Sequence, residues 1–122
     1  MMGVGKVNLA EKFALFHDHW NPRVVGELNG QLVKLARLQG EFVRHTHDAE
    51  DELFLVVEGE LIMRLDDGDL HLGPGEFCIV PRGVAHQPVA PREVKVLLFE
   101  PAATLNTGDL RNERTKEELE RI

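Results

Sequence analysis

Apolar residues recur with a helical period only near the N-terminus of the sequence. Three of them have the spacing of one helix face: Leu9, Phe13 and Phe16. Asn8 precedes this face as a candidate N-cap, and Glu11 follows three residues later as its capping-box partner. The pattern therefore predicts a short helix over residues 8–16, which ends before Pro22 because the residue preceding a proline disfavours helical backbone.

From residue 24 to residue 101 the pattern changes to short apolar runs divided by turn-forming residues. The predicted strands are 24–28, 31–39, 52–57, 61–65, 69–72, 77–81, 86–89 and 93–99. Asn29 and Gly30 predict a tight type I′ hairpin between the first two, because both residues tolerate positive φ. Many short strands at a spacing of roughly 8–12 residues predict an antiparallel all-β sandwich or barrel. The remainder, residues 102–122, predicts a polar C-terminal tail.

The predicted strand 52–57 departs from simple alternation, because both of its faces are apolar. Phe54 and Val56 lie on one face. The other face carries Leu53, Leu55 and Val57. A strand that is covered on both sides has this composition. The second cover is either the N-terminal helix or a second copy of the chain, and the pattern favours a homodimer.

Length and charge narrow the class of protein. The chain has 122 residues, which fits one domain by the usual size of roughly 100–200 residues. Its formal net charge is −7, so phosphate backbones and anionic membranes repel it, and we expect neither nucleic acid nor a membrane as a partner. The N-terminal residues lack the continuous apolar core of a signal peptide, which predicts a cytoplasmic protein. The single cysteine, Cys78, is expected to be a buried structural thiol.

Three histidines and one glutamate form the strongest candidate for a chemical site. His45 and His47 are two residues apart, so both imidazoles point to one side of an extended segment. Glu52 opens a predicted strand, and His86 follows a Pro-x-Gly turn. If these side chains converge, they offer three nitrogens and one oxygen to a borderline divalent metal, with coordination positions left for water or substrate.

Around these residues the sequence resembles the cupin superfamily. The first cupin motif, G-x5-H-x-H-x3,4-E-x6-G, is matched by His45, His47, Glu52 and Gly59. The second motif, G-x5-P-x-G-x2-H-x3-N, is matched by Gly75, Pro81, Gly83 and His86. Two positions depart from the pattern: Gly40 lies one residue too close to His45, and Ala90 stands where the family often has asparagine. Neither position is a metal ligand, so the departures bear on turn geometry.

The resemblance implies a double-stranded β-helix, the cupin jelly-roll barrel, over residues 24–101, with the metal near the open end of the barrel. The helix and the tail are not explained by it. The implied cofactor is a divalent transition metal, namely Fe, Mn, Zn, Ni or Co. The sequence also resembles small single-domain bacterial cupins called mannose-6-phosphate-isomerase-like, a label that assigns no reaction.

Three functions stay open at this point. An enzyme of isomerase or dioxygenase type would act on a small polar metabolite, such as a sugar derivative or a hydroxy or keto acid. A non-catalytic binding or sensor module would have the same barrel and the same metal ligands. In a structural cupin the metal would only tie strands together. No catalytic residue is identified, although Glu41 and Glu50 flank the ligands as candidate general bases.

A substrate pocket in the barrel mouth has four candidate residues: Arg37, Met63, Phe77 and Gln87. The arginine could hold an anionic group by bidentate contacts, and the two apolar side chains would line the wall. The glutamine could orient a water molecule.

Other motifs have simpler interpretations. His17 and His19 form a second His-x-His pair without a downstream glutamate, which predicts a plain loop. Trp20 is expected to pack beside the helix. The turn at residues 107–109 and the charges of residues 116–122 predict a solvated tail, with a short helix at its end.

Overall fold

The computed structural model describes residues 3–122, and within them the chain is built mainly from antiparallel strands. The elements are α1 (Leu9–Phe13), β1 (Arg23–Leu28), β2 (Gln31–Glu41), β3 (Glu52–Glu58), β4 (Leu61–Leu65), β5 (Gly68–Leu72), β6 (Phe77–Val80) and β7 (His86–Pro101). The predicted all-β fold of the jelly-roll type is confirmed. No helix among these residues has the length and apolar character needed to cross a membrane.

The helix α1 begins at the predicted cap and ends earlier than predicted. Oδ1 of Asn8 accepts the N–H of Glu11 at 2.9 Å. Leu15 and Phe16 already donate to carbonyls three residues back instead of four, which is the tighter hydrogen bonding of a helix end. Phe16 nevertheless packs on Phe13, with the ring centroids 5.8 Å apart.

The hairpin between β1 and β2 forms as the sequence indicates. Asn29 and Gly30 have φ values of 52° and 76°. Both are positive, as a type I′ turn requires. The turn aligns Leu28 with Gln31 and starts the β1–β2 ladder.

The longest strand, β7, holds the sheet together. It pairs with β2, β3 and β4, so the neighbouring strands run β1-β2-β7-β3-β6, and β5 is attached through β4. The sequence predicts two strands here, over residues 86–89 and 93–99. The structure has one continuous strand, which begins at His86 and reaches Pro101.

A bulge explains why β7 continues through Pro91. Leu38 pairs with Val94 and Gly40 pairs with Ala90, so the register shifts between these two pairs. The extra residues around Pro91 fall in the shift. A proline has no N–H to give to a β-ladder, and a bulge is a position where the ladder does not need one.

Two apolar clusters stabilise the fold. The larger lies between the strands and contains the fully buried Val56, Leu61, Met63 and Val96. The smaller joins α1 to β2 and contains Phe13, Phe16 and Leu35. Since β2 is covered from both sides, its residues from Leu35 to Leu38 are all buried.

The C-terminal segment, residues 102–122, is ordered against the barrel without forming the predicted helix. Its end runs alongside β1: the N–H of Val24 donates to the carbonyl of Glu120 at 2.9 Å, and the N–H of Ile122 donates to the carbonyl of Val24 at 3.0 Å. Thr107 is 0% exposed, so the expectation of a solvated tail is wrong for this turn. The extended segment satisfies backbone groups at the edge of β1. A helix would not, because its backbone hydrogen bonds lie within the helix.

Candidate metal centre

Strand pairing brings the two sequence motifs together. His45 and His47 lie on the extended stretch between β2 and β3, Glu52 opens β3, and His86 opens β7. His45 and His86 form an antiparallel bridge in which each N–H donates to the carbonyl of the other at 3.0 Å. The backbone therefore fixes the distance between histidines that are 41 positions apart in the numbering.

The four predicted ligand residues converge. Each offers one candidate ligand atom, and these atoms all lie within 4.8 Å of one another. Nε2 of His47 is 3.3 Å and Nε2 of His86 is 3.2 Å from the same oxygen, Oε1 of Glu52. All four residues, His45 included, are 4% exposed or less. That they bind a metal stays a prediction of the geometry.

Hydrogen bonds outside the centre orient two of the rings. Nδ1 of His45 lies 2.9 Å from the carbonyl oxygen of Val43, and Nδ1 of His86 lies 3.0 Å from that of Val84. A carbonyl oxygen can only accept, so Nδ1 carries the proton in both rings. In the neutral rings Nε2 then presents a lone pair to the centre, which is the arrangement that supporting hydrogen bonds produce around metal-binding histidines.

His47 gives the clearest sign that a cation fits. Both of its ring nitrogens are buried without a hydrogen-bond partner among the described residues. Buried polar atoms in folded proteins are normally satisfied, and each one left unsatisfied costs about 1–3 kcal/mol. Lone pairs of neutral imidazoles facing a carboxylate at this distance repel unless a proton or a metal ion lies between them. Three nitrogens and one oxygen suit a borderline divalent metal.

The protonation states of His45 and Glu52 also suit a metal. Burial lowers the pKa of His45 to about 4, so this ring is neutral and free to coordinate at pH 7. Burial alone would lower the pKa of His47, but Glu52 raises it above the ordinary value. Burial would raise the pKa of Glu52, but the close approach of Glu100, His47 and His86 outweighs burial and holds it well below the ordinary range. Glu52 is therefore an anion, as a carboxylate ligand must be.

A narrow cavity of about 40 Å³ opens beside the centre. Its polar lining residues are His45, Glu52, Glu100 and Asn106. The apolar lining residues are Trp20, Pro22, Ala36, Leu38, Phe42, Phe54, Pro88 and Leu98. A water molecule needs at least about 10–15 Å³ on this measure, so the cavity has room for a few waters or a small molecule.

Aromatic stacking builds one side of this cavity. Trp20 stacks on Phe42, with centroids 4.7 Å apart and an interplanar angle of 15°. Phe42 in turn meets the edge of the His45 ring at 5.6 Å. Trp20 has a φ of 58°, and its Nε1 donates to the carbonyl of Gln39 at 2.8 Å. The sequence assigns this tryptophan to packing beside the helix, but it packs against the larger apolar cluster and forms a wall of the cavity.

A buried contact between Lys34 and Glu100 lies next to the cavity, and sequence reasoning missed it. Nζ of Lys34 donates to Oε1 of Glu100 at 2.7 Å, and each residue is 2% exposed. Burial and the charge of Glu52 raise the pKa of Glu100 well above the ordinary range, although Lys34 opposes this shift. The raised pKa favours the protonated form of Glu100, whose carboxyl group lies beside Glu52 in the cavity wall.

The four predicted pocket residues lie outside the cavity wall. Arg37 points to the helix side, where its guanidinium donates to Glu93 at 2.8 Å and to the carbonyl of Phe13 at 2.9 Å. The other three have different environments: Met63 is buried in the larger apolar cluster, Phe77 is 58% exposed, and Gln87 donates to the backbone of Phe42. None of the four side chains lines the cavity, because each one points to a different part of the fold.

The two candidate general bases, His19 and the cysteine have other environments. Glu50 approaches Nδ1 of His47 at 3.7 Å, whereas Glu41 pairs with Arg64 at 3.1 Å and does not line the cavity. His19 pairs with Glu93 on the surface. Cys78 is partly buried, and burial raises the pKa of its thiol to about 11.

The C-terminal segment braces the two-histidine stretch from outside. Oδ1 of Asp109 accepts the N–H of Thr46 at 2.9 Å, and the N–H of Asp109 donates to the Thr46 carbonyl at 2.8 Å. Thr46 stands between His45 and His47. Gly108 packs so closely that a Cβ added there would lie 2.3 Å from the Thr46 oxygen and 2.8 Å from Cδ2 of His45.

Comparison with known proteins identifies relatives of the whole barrel. Residues 32–100 match the family described as Cupin domain. A cupin-2 domain containing protein from Shewanella frigidimarina is 43% identical, with a TM-score of 0.77 over 78% of this chain and 93% of the other. Protein NMB1881 from Neisseria meningitidis is 27% identical, with a TM-score of 0.72 over 80% of this chain and 100% of the other.

A curated relative matches a shorter stretch. Uncharacterized protein YdbB from Bacillus subtilis is 36% identical over 64 residues, which are 52% of this chain and 57% of that protein. This chain thus matches just over half the length of that relative. Together the similarities support a small bacterial cupin, and they do not support the isomerase-like subtype.

Replacing one ligand should separate metal binding from folding. We expect His47→Ala to lose most of its bound metal while keeping its β-sheet circular dichroism, because this ring lies at the edge of the apolar core. Elemental analysis of the purified variant measures the loss, and His17→Ala in the other His-x-His pair is the matched control. Full metal occupancy in His47→Ala would contradict the assignment.

The packing of Gly108 against the two-histidine stretch should strengthen metal binding. Gly108→Ala pushes against the Thr46 oxygen and the His45 ring, so we expect the metal dissociation constant to rise roughly tenfold or more, the range seen when groups that support ligands are lost. Gly75→Ala is the control, because Gly75 also has positive φ but nothing within 4 Å of an added Cβ. Equal effects of the two substitutions on metal competition titrations would show that backbone strain alone is responsible.

Proposed function

This chain belongs to the cupin domain family, and we propose that it is a metal-dependent enzyme acting on a small hydroxy or keto acid. The observation that carries the proposal is a cluster of four buried candidate ligands that opens on one side into a cavity with its own carboxyl group. His45, His47, Glu52 and His86 would hold the metal. When bound, a divalent metal supplies Lewis acidity towards the oxygens of a hydroxy-carbonyl compound.

The size and lining of the cavity favour a small acid over a sugar derivative. A volume of about 40 Å³ accommodates only a few non-hydrogen atoms. Most of the lining residues are apolar, so the many hydroxyl groups of a sugar would lose their hydrogen bonds to water without replacement. A short hydroxy or keto acid needs polar partners only at one end, which the bound metal, Glu100 and Asn106 would provide.

Glu100 is the candidate positioning and proton-carrying group. Its Oε2 is buried without a hydrogen-bond partner among residues 3–122, and the residue lines the cavity beside Glu52. Lys34 fixes the other oxygen at 2.7 Å, so the carboxyl group has one defined orientation. A carboxyl group held in this way can donate a hydrogen bond to a substrate oxygen, and carbonyl and hydroxyl chemistry requires such a group.

The alternative is a non-catalytic, metal-assisted binding module. The contact between Lys34 and Glu100 favours this alternative, because it orients Glu100 and also restrains its movement towards a substrate. Both functions predict binding of the same small acids. They differ in whether Glu100 is needed for turnover or only for affinity.

Ligand binding tests the proposed substrate class. A ligand that binds the native state raises the melting temperature, so metal-loaded protein should be stabilised by small hydroxy and keto acids and not by neutral sugars. Acids that stabilise the protein are then followed by NMR for conversion, with Glu100→Gln as the variant. Conversion that Glu100→Gln abolishes supports an enzyme, binding without conversion supports the alternative, and stabilisation by sugars alone contradicts the cavity argument.

We also propose that the chain forms a homodimer in the cytoplasm, as expected from the sequence. The support is an apolar patch on β3 and the edge strand β6. It consists of Leu53, Leu55, Phe77 and Ile79, in which Leu53 pairs with Ile79 and Leu55 with Phe77. Phe77 and Ile79 are 58% and 57% exposed. Large exposed apolar side chains grouped on an edge strand favour association with another protein surface.

A charged residue in the patch should weaken the dimer. We expect Phe77→Glu to shift the protein from dimer to monomer in light scattering at micromolar concentration, because the carboxylate would be buried without a partner. Leu70→Glu, on the exposed strand β5, is the control and should leave the dimer intact. A wild-type protein that scatters only as a 13.8 kDa monomer at this concentration refutes the proposal.

A further inference from the structure

A second cavity, of about 120 Å³, lies apart from the candidate metal ligands. It is formed between strands β1 and β2 and the C-terminal segment. Its charged and polar lining residues are Lys34, Thr104, Asn106, Lys116, Glu117 and Arg121. Three of these are cations and one is an anion, although the whole chain carries a formal net charge of −7. Positive charge is therefore concentrated at this cavity, although the chain as a whole is negatively charged.

Two deeply buried groups in this wall have unused hydrogen-bonding capacity. Oγ1 of Thr104 is buried and has no hydrogen-bond partner among residues 3–122, and the residue is 7% exposed. Lys34 is 2% exposed, and the one hydrogen bond found for its Nζ within these residues goes to Glu100. An ammonium group has three donors, so two remain. Buried groups of this kind normally have a partner.

Among residues 3–122, one cation at the rim of this cavity has no ion pair. Arg121 pairs with Glu27 at 3.1 Å, and Glu117 pairs with Arg111. Lys116 has no ion pair within the part of the chain that the structure describes. It stands at the exposed edge of the cavity, where it can approach a bound group from the solvent side.

We propose that this cavity binds a small oxyanion, the phosphate or carboxylate group of a metabolite, through Lys34, Thr104 and Lys116. Oxyanions accept several hydrogen bonds at once, and charge-assisted donors such as lysine ammonium groups bind them most strongly. The cavity is three times the volume of the one beside the metal centre, which leaves room for a tetrahedral or planar anion and a bridging water. The hydroxyl of Thr104 donates to the anion and so gains the partner it lacks.

The test is a titration of the full-length protein with inorganic phosphate and, separately, with acetate, followed by NMR at constant ionic strength. We expect saturable binding of at least one of the two anions. The anion with the lower dissociation constant identifies the group as phosphate or carboxylate. No saturable binding of either anion up to about 10 mM, a free energy of only about −2.7 kcal/mol, overturns the proposal.

Variants locate the site. Thr104→Val removes one hydroxyl with little change of shape, and we expect it to weaken binding about three- to tenfold, as the loss of one hydrogen bond does. Lys116→Glu should weaken binding further, because a cation at the rim becomes an anion. Lys6→Glu, a charge-matched change on the exposed N-terminal stretch, should leave binding unchanged. Equal weakening by Lys6→Glu and Lys116→Glu would reduce the effect to net charge and refute the site.

Two further measurements keep the result unambiguous. His47→Ala should bind the anion as tightly as wild type, and loss of binding in this variant would move the anion to the metal centre and overturn the proposal. Melting curves of Thr104→Val verify that the variant is folded. We expect it to fold, because a methyl group of similar size replaces the threonine hydroxyl. A folded Thr104→Val protein with wild-type affinity also counts against the site.

Discussion

The candidate metal centre depends on one short piece of strand pairing, the two backbone hydrogen bonds between His45 and His86. Three imidazoles and a carboxylate are held out of water within 4.8 Å of one another, an arrangement that costs free energy unless a cation compensates it. Flexible side chains would separate to avoid this cost. The bridge prevents the separation because it joins β7 to the two-histidine stretch through the main chain.

The surrounding parts of the fold support that arrangement from several directions. Asp109 fixes the peptide group between the two histidines, and Gly108 leaves no space for them to shift. Glu100, which lines the cavity beside Glu52, is itself held by Lys34 in the barrel interior. Such a buried contact defines geometry, because removal of either partner leaves a buried polar group unsatisfied. The ligands are therefore positioned before any metal arrives.

Much of this could be predicted from local patterns in the sequence. The type I′ turn at Asn29 and Gly30, the N-cap at Asn8 and the spacing of His45 and His47 depend on residues that are close in the chain. The Lys34–Glu100 pair joins positions 66 residues apart, and its existence depends on a register that the sequence does not reveal. Arg37 illustrates the same limit: β2 is buried on both faces, so alternation could not indicate on which side its guanidinium lies.

The position of Trp20 gives the protein an optical reporter. The sequence has one tryptophan and no tyrosine, so ultraviolet-excited emission comes from this indole. Its ring lies on Phe42 in the wall of the smaller cavity, with the guanidinium of Arg114 at 5.6 Å from the C-terminal segment. Emission wavelength and quenching therefore respond both to a molecule that displaces water from the cavity and to any loosening of the segment that carries Arg114. Fluorescence follows both events without a label.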